Sequence, residues 1–162
     1  MHEPKLYVIM GVSGTGKTTI GKLLAEAVGI PFFDGDDFHP RANLEKMESG
    51  QPLNDEDRHG WLVSLNQLLK SRKESGAVVA CSALKKSYRA ILNDGLMGQL
   101  KFIFLEGSFE EVKTRMVQRK GHFMPLELLQ SQFETLEEPE NAIKVSIRDT
   151  PSQIIQKLLD QL

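Results

Sequence analysis

Short apolar runs alternate along this chain with longer segments in which apolar residues recur every three or four positions. An apolar run of roughly four to eight residues is typical of a buried strand, and the longer spacing is typical of an amphipathic helix. The predicted strands lie near residues 5–10, 31–34, 77–81, 101–105 and 142–147. The predicted helices lie near residues 17–28, 41–48, 56–73, 86–93, 109–119, 125–136 and 151–161. Strands that alternate with helices indicate a three-layer α/β fold, in which helices cover both faces of a parallel sheet.

The apolar positions of two predicted helices indicate which faces they bury. In the first helix these positions are Ile20, Leu23, Leu24, Ala27 and Val28. In the third predicted helix they are Trp61, Leu65, Leu68 and Leu69. We expect both faces to belong to the hydrophobic core.

Composition narrows the class of protein. The chain has 162 residues, of which 40% are hydrophobic and 26% are charged, as expected of a single soluble domain spanning 1–162. The formal net charge is −2 and no basic block occurs, so neither a nucleic acid nor a membrane surface is an expected partner. No apolar stretch approaches transmembrane length, and no leader is expected before the first strand. The single cysteine, Cys81, is expected to be a buried thiol, and the expected location is the cytoplasm.

A complete phosphate-binding motif stands between the first predicted strand and the first predicted helix. Residues 11–18 read Gly-Val-Ser-Gly-Thr-Gly-Lys-Thr and match G-x-x-x-x-G-K-[ST] without a mismatch. Glycines let such a loop curl until its N–H groups and the helix N-terminus face a phosphate. In this motif Lys17 reaches the β- and γ-phosphates, and the Thr18 hydroxyl binds Mg²⁺. The residues expected to bind a nucleoside triphosphate are Gly11, Ser13, Gly14, Thr15, Gly16, Lys17, Thr18 and Thr19.

Three aspartates around a glycine, residues 34–37, follow the second predicted strand. Ligands of parallel α/β sheets bind beyond the carboxyl ends of the strands, so these acids are expected beside the phosphate-binding loop. We expect Asp34 to hold a Mg²⁺-bound water and Asp36 to accept the proton of an attacking hydroxyl. The alternatives are a simple turn with a helix cap, or an acid after the fourth strand, Glu106. His39 is expected either to orient the substrate or to make a cap contact.

Positive charge is concentrated after the third predicted strand, at Lys85, Lys86 and Arg89. Cations at a helix N-terminus oppose the helix dipole, so an anionic ligand explains them better than stability does. Arg58, on the preceding helix, is expected to join them unless it forms an ion pair on the helix surface. We therefore expect Lys85, Arg89 and Arg58 to hold an anionic group of the acceptor that takes the phosphoryl group.

A basic segment in the last third of the chain is predicted to be a lid. Arg115 and Arg119 lie four residues apart on one helix face, and Gly121 offers a hinge in the segment 119–125. A mobile cationic segment that closes over phosphates excludes water and neutralises charge during transfer. His122 is expected to contact the substrate. The alternative interpretation is a solvated helix face.

Further motifs accompany the phosphate-binding loop in one order along the chain. They are Asp34-Gly35-Asp36-Asp37-Phe38-His39-Pro40, Lys46-Met47, Pro52-Leu53-Asn54-Asp55, Asp57-Arg58, Trp61-Leu62, Ser82-Ala83-Leu84-Lys85-Lys86, Tyr88-Arg89 and Arg119-Lys120-Gly121-His122-Phe123-Met124-Pro125. This set spans nearly the whole chain and resembles the gluconokinases of the short P-loop type.

The resemblance implies a P-loop kinase fold similar to the shikimate and nucleoside monophosphate kinases, with a five-stranded parallel sheet. It implies transfer of the γ-phosphoryl group of ATP to the 6-hydroxyl of D-gluconate, which gives 6-phosphogluconate and ADP. It also implies a homodimer. By the same resemblance, Arg115 packs on adenine and Arg119 reaches the phosphates as a catalytic residue.

Two other classes of protein fit part of the pattern. The residues alone indicate ATP-Mg²⁺, a carboxylate base and an anionic acceptor with a hydroxyl, which also suits a shikimate kinase or a nucleoside monophosphate kinase. A nucleotide-dependent switch protein would need the guanine-reading sequence Asn-Lys-x-Asp, which the chain lacks. The choice of gluconate therefore depends on the resemblance.

Overall fold

The computed structural model describes residues 5–118 and 126–162 and confirms the alternation of strands and helices. The strands are β1 Leu6–Met10, β2 Phe32–Asp34, β3 Ala77–Ala80, β4 Leu100–Glu106 and β5 Ile143–Ser146. The helices are α1 Lys17–Val28, α2 Arg41–Glu48, α3 Asp55–Ser71, α4 Lys86–Asn93, α5 Phe109–Gln118, α6 Leu126–Thr135 and α7 Pro151–Gln161. A 3-10 helix that the sequence pattern did not predict, Gly35–Phe38, follows β2 directly.

The five strands form one parallel sheet in the order β2-β3-β1-β4-β5. In the register of this sheet, Leu6 of β1 pairs with Ala77 of β3 and with Leu100 of β4. Every residue of β1 and of β3 is buried. Successive side chains of a strand point to opposite faces, so this burial requires helices on both faces of the sheet. The predicted three-layer α/β architecture is confirmed.

Helix α1 buries a different stripe from the one its apolar residues predict. Ile20 and Leu24 are buried as expected, but Leu23 and Ala27 are exposed and Val28 is half-buried, while Gly21 and Ala25 are buried instead. The helix packs on β2 at Gly21, where an added Cβ would lie 2.4 Å from the ring of Phe32. Gly21 is therefore a position at which the helix meets the sheet, and apolar spacing alone cannot reveal that Leu23 faces solvent.

Helix α3 confirms its predicted core face and begins at a specific cap. Trp61, Leu65 and Leu69 are buried, while Leu68 is partly buried against the same core. The Asn54 side chain accepts a hydrogen bond from the Asp57 N–H at 2.8 Å, and the Asp57 carboxylate accepts one from the Asn54 N–H at 3.0 Å. Such a capping box satisfies two helix N–H groups at once, and it fixes where the helix starts.

The carboxyl ends of β1, β2 and β3 lie together at one edge of the sheet. The Gly11 N–H donates to the Ser82 carbonyl oxygen at 3.2 Å, which joins the segments that follow β1 and β3. Gly35 lies against β3 so closely that an added Cβ would be 2.3 Å from the Ala80 carbonyl oxygen. No helix among residues 5–118 and 126–162 is both long and apolar enough to cross a membrane.

Candidate active site

A cleft of about 420 Å³ opens at the carboxyl edge of the sheet. It lies between the loop after β1, the 3-10 helix after β2, α3 and α6. The residues predicted for the site that line this cleft are Ser13, Gly14, Gly16, Lys17, Thr18, Thr19, Asp34, Asp36, His39 and Arg58. The structure therefore brings together the phosphate-binding loop, two acids and one of the predicted cations.

The phosphate-binding loop has backbone conformations that glycine adopts readily. Gly11, Gly14 and Gly16 have φ values of 145°, 83° and 96°, a region that residues with a Cβ rarely adopt. Lys17 Nζ donates to the carbonyl oxygens of Gly11 at 3.0 Å and Val12 at 2.9 Å. Burial lowers the pKa of Lys17, and the nearby Asp36 carboxylate partly offsets this effect. A poorly solvated ammonium group with a third hydrogen to donate, next to the N-terminus of α1, is well suited to an anionic phosphate.

Thr18 and Asp34 place two oxygen atoms side by side at the start of α1. Thr18 Oγ1 donates to Asp34 Oδ2 at 3.5 Å, and Asp34 Oδ1 accepts a hydrogen bond from the Asp36 N–H at 3.0 Å. Within residues 5–118 and 126–162, no cluster of three or more histidine, cysteine, aspartate or glutamate side chains could hold a metal by itself. Two protein oxygens beside a phosphate site nevertheless fit Mg²⁺, which usually keeps several waters and binds through one or two side chains and phosphates.

Asp36 points its carboxylate toward the open part of the cleft, with 77% of the side chain exposed. The cleft walls still remove part of its water, and this, followed by repulsion from Asp34, raises the pKa of Asp36. Lys17 acts in the opposite direction. Asp36 is thus an accessible carboxylate that takes up a proton more readily than an ordinary aspartate.

His39 lies beside Asp36 in a stacked, buried position. Its ring stacks on Trp61 with 3.9 Å between centroids and 19° between planes, and only 3% of its side chain is exposed. Its Nε2 is 3.8 Å from Asp36 Oδ1. Burial and the positive charge of Arg58 lower the pKa of His39 to about 4, so the ring is neutral near pH 7. His39 therefore acts here as a hydrogen-bonding group and not as a cation.

Arg58 is held at the cleft wall by a chain of hydrogen bonds. Its Nη1 donates to the Tyr88 hydroxyl at 2.9 Å, and the Tyr88 hydroxyl donates to the Asp55 carboxylate. Lys85 Nζ donates to the same carboxylate at 2.9 Å. The hydrogen bonds from Tyr88 and then Lys85 lower the pKa of Asp55. Lys85 thus neutralises Asp55, which accepts the hydrogen bond of the Tyr88 hydroxyl that holds Arg58. Lys85 itself is not among the residues that line the cleft.

Arg89 is not brought to the cleft, although its sequence position predicts a contact with the acceptor. Its guanidinium group donates to the carbonyl oxygens of Ala83 at 2.7 Å and Glu137 at 2.8 Å, and the residue is 9% exposed. It joins the loop after β3 to the segment after α6. The spacing of charges along α4 could not distinguish this buried structural contact from a ligand contact, because both place a cation near the helix start.

The remaining predictions concern Arg115, the lid segment and Cys81. Arg115 lies beside the phosphate-binding loop, where its Nη1 is 4.0 Å from the position of a Cβ on Gly16 and its Nη2 donates to the Ile147 carbonyl oxygen. Arg119, His122 and the predicted lid, residues 119–125, lie outside the described residues. Cys81 lies in the floor of the cleft as a buried thiol, as predicted, and burial raises its pKa to about 12. It is therefore not a nucleophile at neutral pH.

Comparison with known proteins assigns this chain to a family. The family model described as shikimate kinase matches residues 13–162. The probable gluconokinase of Rattus norvegicus is 45% identical over an alignment of 184 positions, which covers 100% of both chains. The thermoresistant gluconokinase of Escherichia coli (strain K12) is 46% identical over 140 residues, which cover 85% of this chain and 79% of that protein. This chain belongs to the gluconokinase family.

A solved structure supports the gluconokinase assignment over the whole fold. The crystal structure of a gluconokinase from Sinorhizobium meliloti 1021 matches with a TM-score of 0.91 and 44% identity, over 99% of this chain and 92% of that chain. The shikimate kinase model and the gluconokinase relatives agree on a kinase that uses ATP and a small-molecule acceptor. Near-full-length identity above 40% is what decides in favour of the gluconokinases.

Two cleft residues of this gluconokinase family member were missed as site residues. Trp61 was predicted only as core, yet it supports His39 and donates through Nε1 to the Gly35 carbonyl oxygen at 2.7 Å. Gln132 of α6 accepts a hydrogen bond from the Ser13 N–H at 2.7 Å and donates to Ser13 Oγ at 3.1 Å. These contacts join residues 26 and 119 positions apart, and no local pattern in the sequence signals them.

Proposed function

We propose that this protein transfers the γ-phosphoryl group of ATP to the 6-hydroxyl of D-gluconate, giving 6-phospho-D-gluconate and ADP. Family membership supports the reaction. The observation that carries the proposal at the site is the presence of Lys17, Asp36 and Arg58 in one cleft. These side chains offer a phosphate contact, a proton acceptor and a carboxylate contact, which are the three features that a phosphoryl acceptor with a carboxylate and a hydroxyl requires.

The nucleotide end of the proposed site is the phosphate-binding loop. The loop N–H groups and Lys17 hold the phosphates and stabilise the negative charge that is displaced during transfer. Arg115, beside Gly16, supports the adenine side, and Arg119 is proposed to reach the phosphates. Thr18 and Asp34 are the residues that would hold Mg²⁺, which neutralises phosphate charge when it is bound.

The acceptor end lies between the 3-10 helix and α3. Asp36 orients the attacking hydroxyl and accepts its proton as the oxygen bonds to phosphorus. Arg58 donates to the substrate carboxylate with a guanidinium group that Tyr88 holds in place, an orientation suited to paired hydrogen bonds. His39 and His122 are proposed to contact substrate hydroxyls, and Lys85 supports the carboxylate end through Asp55.

The experiment that tests this function is a coupled assay of ADP release across a panel of acceptors. D-gluconate, other sugar acids, shikimate and nucleoside monophosphates would each be offered with ATP and Mg²⁺. We expect D-gluconate to give the highest kcat/KM. A higher kcat/KM for shikimate or for a nucleoside monophosphate would contradict the proposal.

The matched control for that assay is Lys17→Ala, with circular dichroism to check the fold. The loss of one such electrostatic contact typically lowers kcat on the order of a hundredfold. ADP release that keeps more than about a tenth of kcat in this variant would argue against a P-loop mechanism.

The setting of the enzyme is also proposed on the basis of the resemblance. We propose a homodimer in the cytoplasm that depends on Mg²⁺. Sedimentation velocity distinguishes a dimer from a monomer, and titration of Mg²⁺ in the presence of a chelator tests the metal requirement. Full activity in excess chelator would contradict the metal site at Thr18 and Asp34.

A further inference from the structure

Asn43 of α2 is a buried asparagine whose amide group is fixed by its partners. Its Nδ2 donates to the Asp57 carbonyl oxygen at 2.8 Å, and the same atom lies 3.2 Å from His39 Nδ1. The residue is only 5% exposed. A backbone carbonyl can only accept a hydrogen bond, so the atom facing Asp57 has to be the amide nitrogen and not the amide oxygen.

This assignment determines the protonation of the His39 ring. An amide nitrogen has two hydrogens and no lone pair to offer, and one hydrogen is used by the Asp57 carbonyl oxygen. The second hydrogen faces His39 Nδ1, which must therefore accept it with a lone pair. A neutral imidazole carries one N–H, so the hydrogen of His39 is on Nε2.

We propose that Asn43 is a positioning residue that holds His39 as the Nε2–H tautomer, and that this N–H donates to a hydroxyl oxygen of the acceptor. The proposal depends on the proposed function for the identity of the acceptor. His39 then has no free lone pair, because Nδ1 is occupied by Asn43 and Nε2 carries a hydrogen. Asp36 is left as the group that accepts the proton of the attacking hydroxyl.

The surroundings of the ring support a fixed donor. The stack on Trp61 sets the plane of the ring, and the separation of 3.8 Å between Nε2 and Asp36 Oδ1 is too long for a hydrogen bond. Because His39 lines the cleft and its Nε2 lies next to the exposed Asp36 carboxylate, the Nε2–H can donate to a ligand oxygen that binds beside Asp36. The hydrogen bond from Asn43 to the Asp57 carbonyl oxygen also joins α2 to the start of α3, and the same Asn43 amide contacts His39.

The charged groups that face His39 act in opposite directions. Asp36 on the 3-10 helix favours an imidazolium ion, whereas Arg58 on α3 opposes it, and burial is the largest effect on the low pKa of His39. Protonation of Nδ1 would in addition set two donors, Nδ1–H and the Asn43 amide, against each other. The neutral tautomer therefore persists across the pH range in which the enzyme would be assayed.

The tautomer can be measured directly in the unmodified protein. Long-range ¹H–¹⁵N correlation spectra of histidine rings distinguish the two neutral tautomers, and the His39 signals are those lost in His39→Gln. We expect the Nε2–H pattern, unchanged from about pH 6 to pH 8. This range begins about two units above the His39 pKa of about 4, so roughly one ring in a hundred or fewer is an imidazolium ion there. An Nδ1–H pattern, or a titration within this range, would overturn the proposal whatever the substrate is.

A variant then tests the link to the acceptor. In Asn43→Asp, the introduced carboxylate accepts a hydrogen from Nδ1, so the neutral ring loses its Nε2–H while the imidazolium ion keeps it. We expect KM for gluconate to rise about tenfold as the pH increases through the raised pKa of His39, with KM for ATP unchanged. The unmodified enzyme is expected to show no such rise.

Asn66→Asp is the matched control. Asn66 is also 5% exposed, and its Nδ2 donates to two carbonyl oxygens, those of Leu92 and Asp94, with no histidine among these partners. It reports the cost of placing a carboxylate against carbonyl oxygens in a buried site. Identical pH dependence of KM in the two variants would overturn the role of Asn43, whereas an inactive unmodified enzyme would refute the proposed function alone.

Discussion

At the scale of single residues, the cleft contains charges whose roles depend on what holds them. Lys17 is hydrogen-bonded to its own loop and Arg58 to Tyr88, whereas the Asp36 carboxylate is accessible to a ligand in the cleft. The sequence predicted Lys17 and Asp36 because each follows a strand in a short local motif. It could not separate Arg58 from Arg89, because the partners of an arginine come from elements that are distant in the sequence.

Asp36→Asn is the substitution that tests the proposed proton acceptor. It keeps the size of the side chain and removes its negative charge, so we expect kcat to fall by about a hundredfold or more while KM for ATP changes little. A loose transition state for phosphoryl transfer would reduce this loss. Steady-state kinetics provide the measurement, and Asp37→Asn is the neighbouring control. If kcat fell in Asp37→Asn and was retained in Asp36→Asn, the proton acceptor would be Asp37 and not Asp36.

Arg58→Ala and Arg89→Ala are expected to differ in what they damage. Loss of Arg58 removes a charge-assisted contact, so KM for gluconate should rise by about 10- to 100-fold, with KM for ATP nearly constant. Loss of Arg89 removes the donor to two carbonyl oxygens, which should lower the free energy of unfolding by about 1–3 kcal/mol. Kinetics and urea unfolding of both variants test this division. A selective rise of KM for gluconate in Arg89→Ala would return Arg89 to the acceptor site.

At the scale of elements, the positions of strands and helices were predictable because hydrophobic periodicity is a local property. The predicted bounds agree with the structure to within about two residues, which is the usual uncertainty at helix ends. The orientation of each helix about its axis was less predictable, as the exposed Leu23 of α1 shows. The 3-10 helix after β2 was also not predicted, although its Asp-Gly sequence indicated a turn.

Gly35→Ala tests how tightly that 3-10 helix is seated on the sheet. The added Cβ would be 2.3 Å from the Ala80 carbonyl oxygen, so we expect a loss of about 1–3 kcal/mol in the free energy of unfolding. The displaced turn should also lower kcat, because it carries Asp36. Gly60→Ala in α3 is the control, since its added Cβ meets nothing within 4 Å. A gain of up to about 1 kcal/mol is expected there from helix propensity. Equal stability of the two variants would contradict the close seating of Gly35.

At the scale of the whole molecule, the order of the strands explains why distant residues meet. β1 lies between β3 and β4, so the strands that follow it in the chain lie on both sides of it in the sheet. The phosphate-binding loop comes directly after β1. Ligands of open α/β sheets bind at such a point, beyond the carboxyl ends of the strands. This rule located the cleft from the sequence, but the contribution of α6 through Gln132 required the packed structure. The fold thus joins the nucleotide end to the acceptor end in a single cleft.

Identification of the product decides whether this protein phosphorylates carbon 6 of gluconate. The protein would be incubated with ATP, Mg²⁺ and D-gluconate, and the products would be assigned by ³¹P and ¹³C nuclear magnetic resonance. We expect one phosphate ester, on carbon 6 of gluconate, formed in a one-to-one ratio with ADP. ADP with only inorganic phosphate, or an ester on another carbon, would contradict the account of how Asp36 and Arg58 place the acceptor.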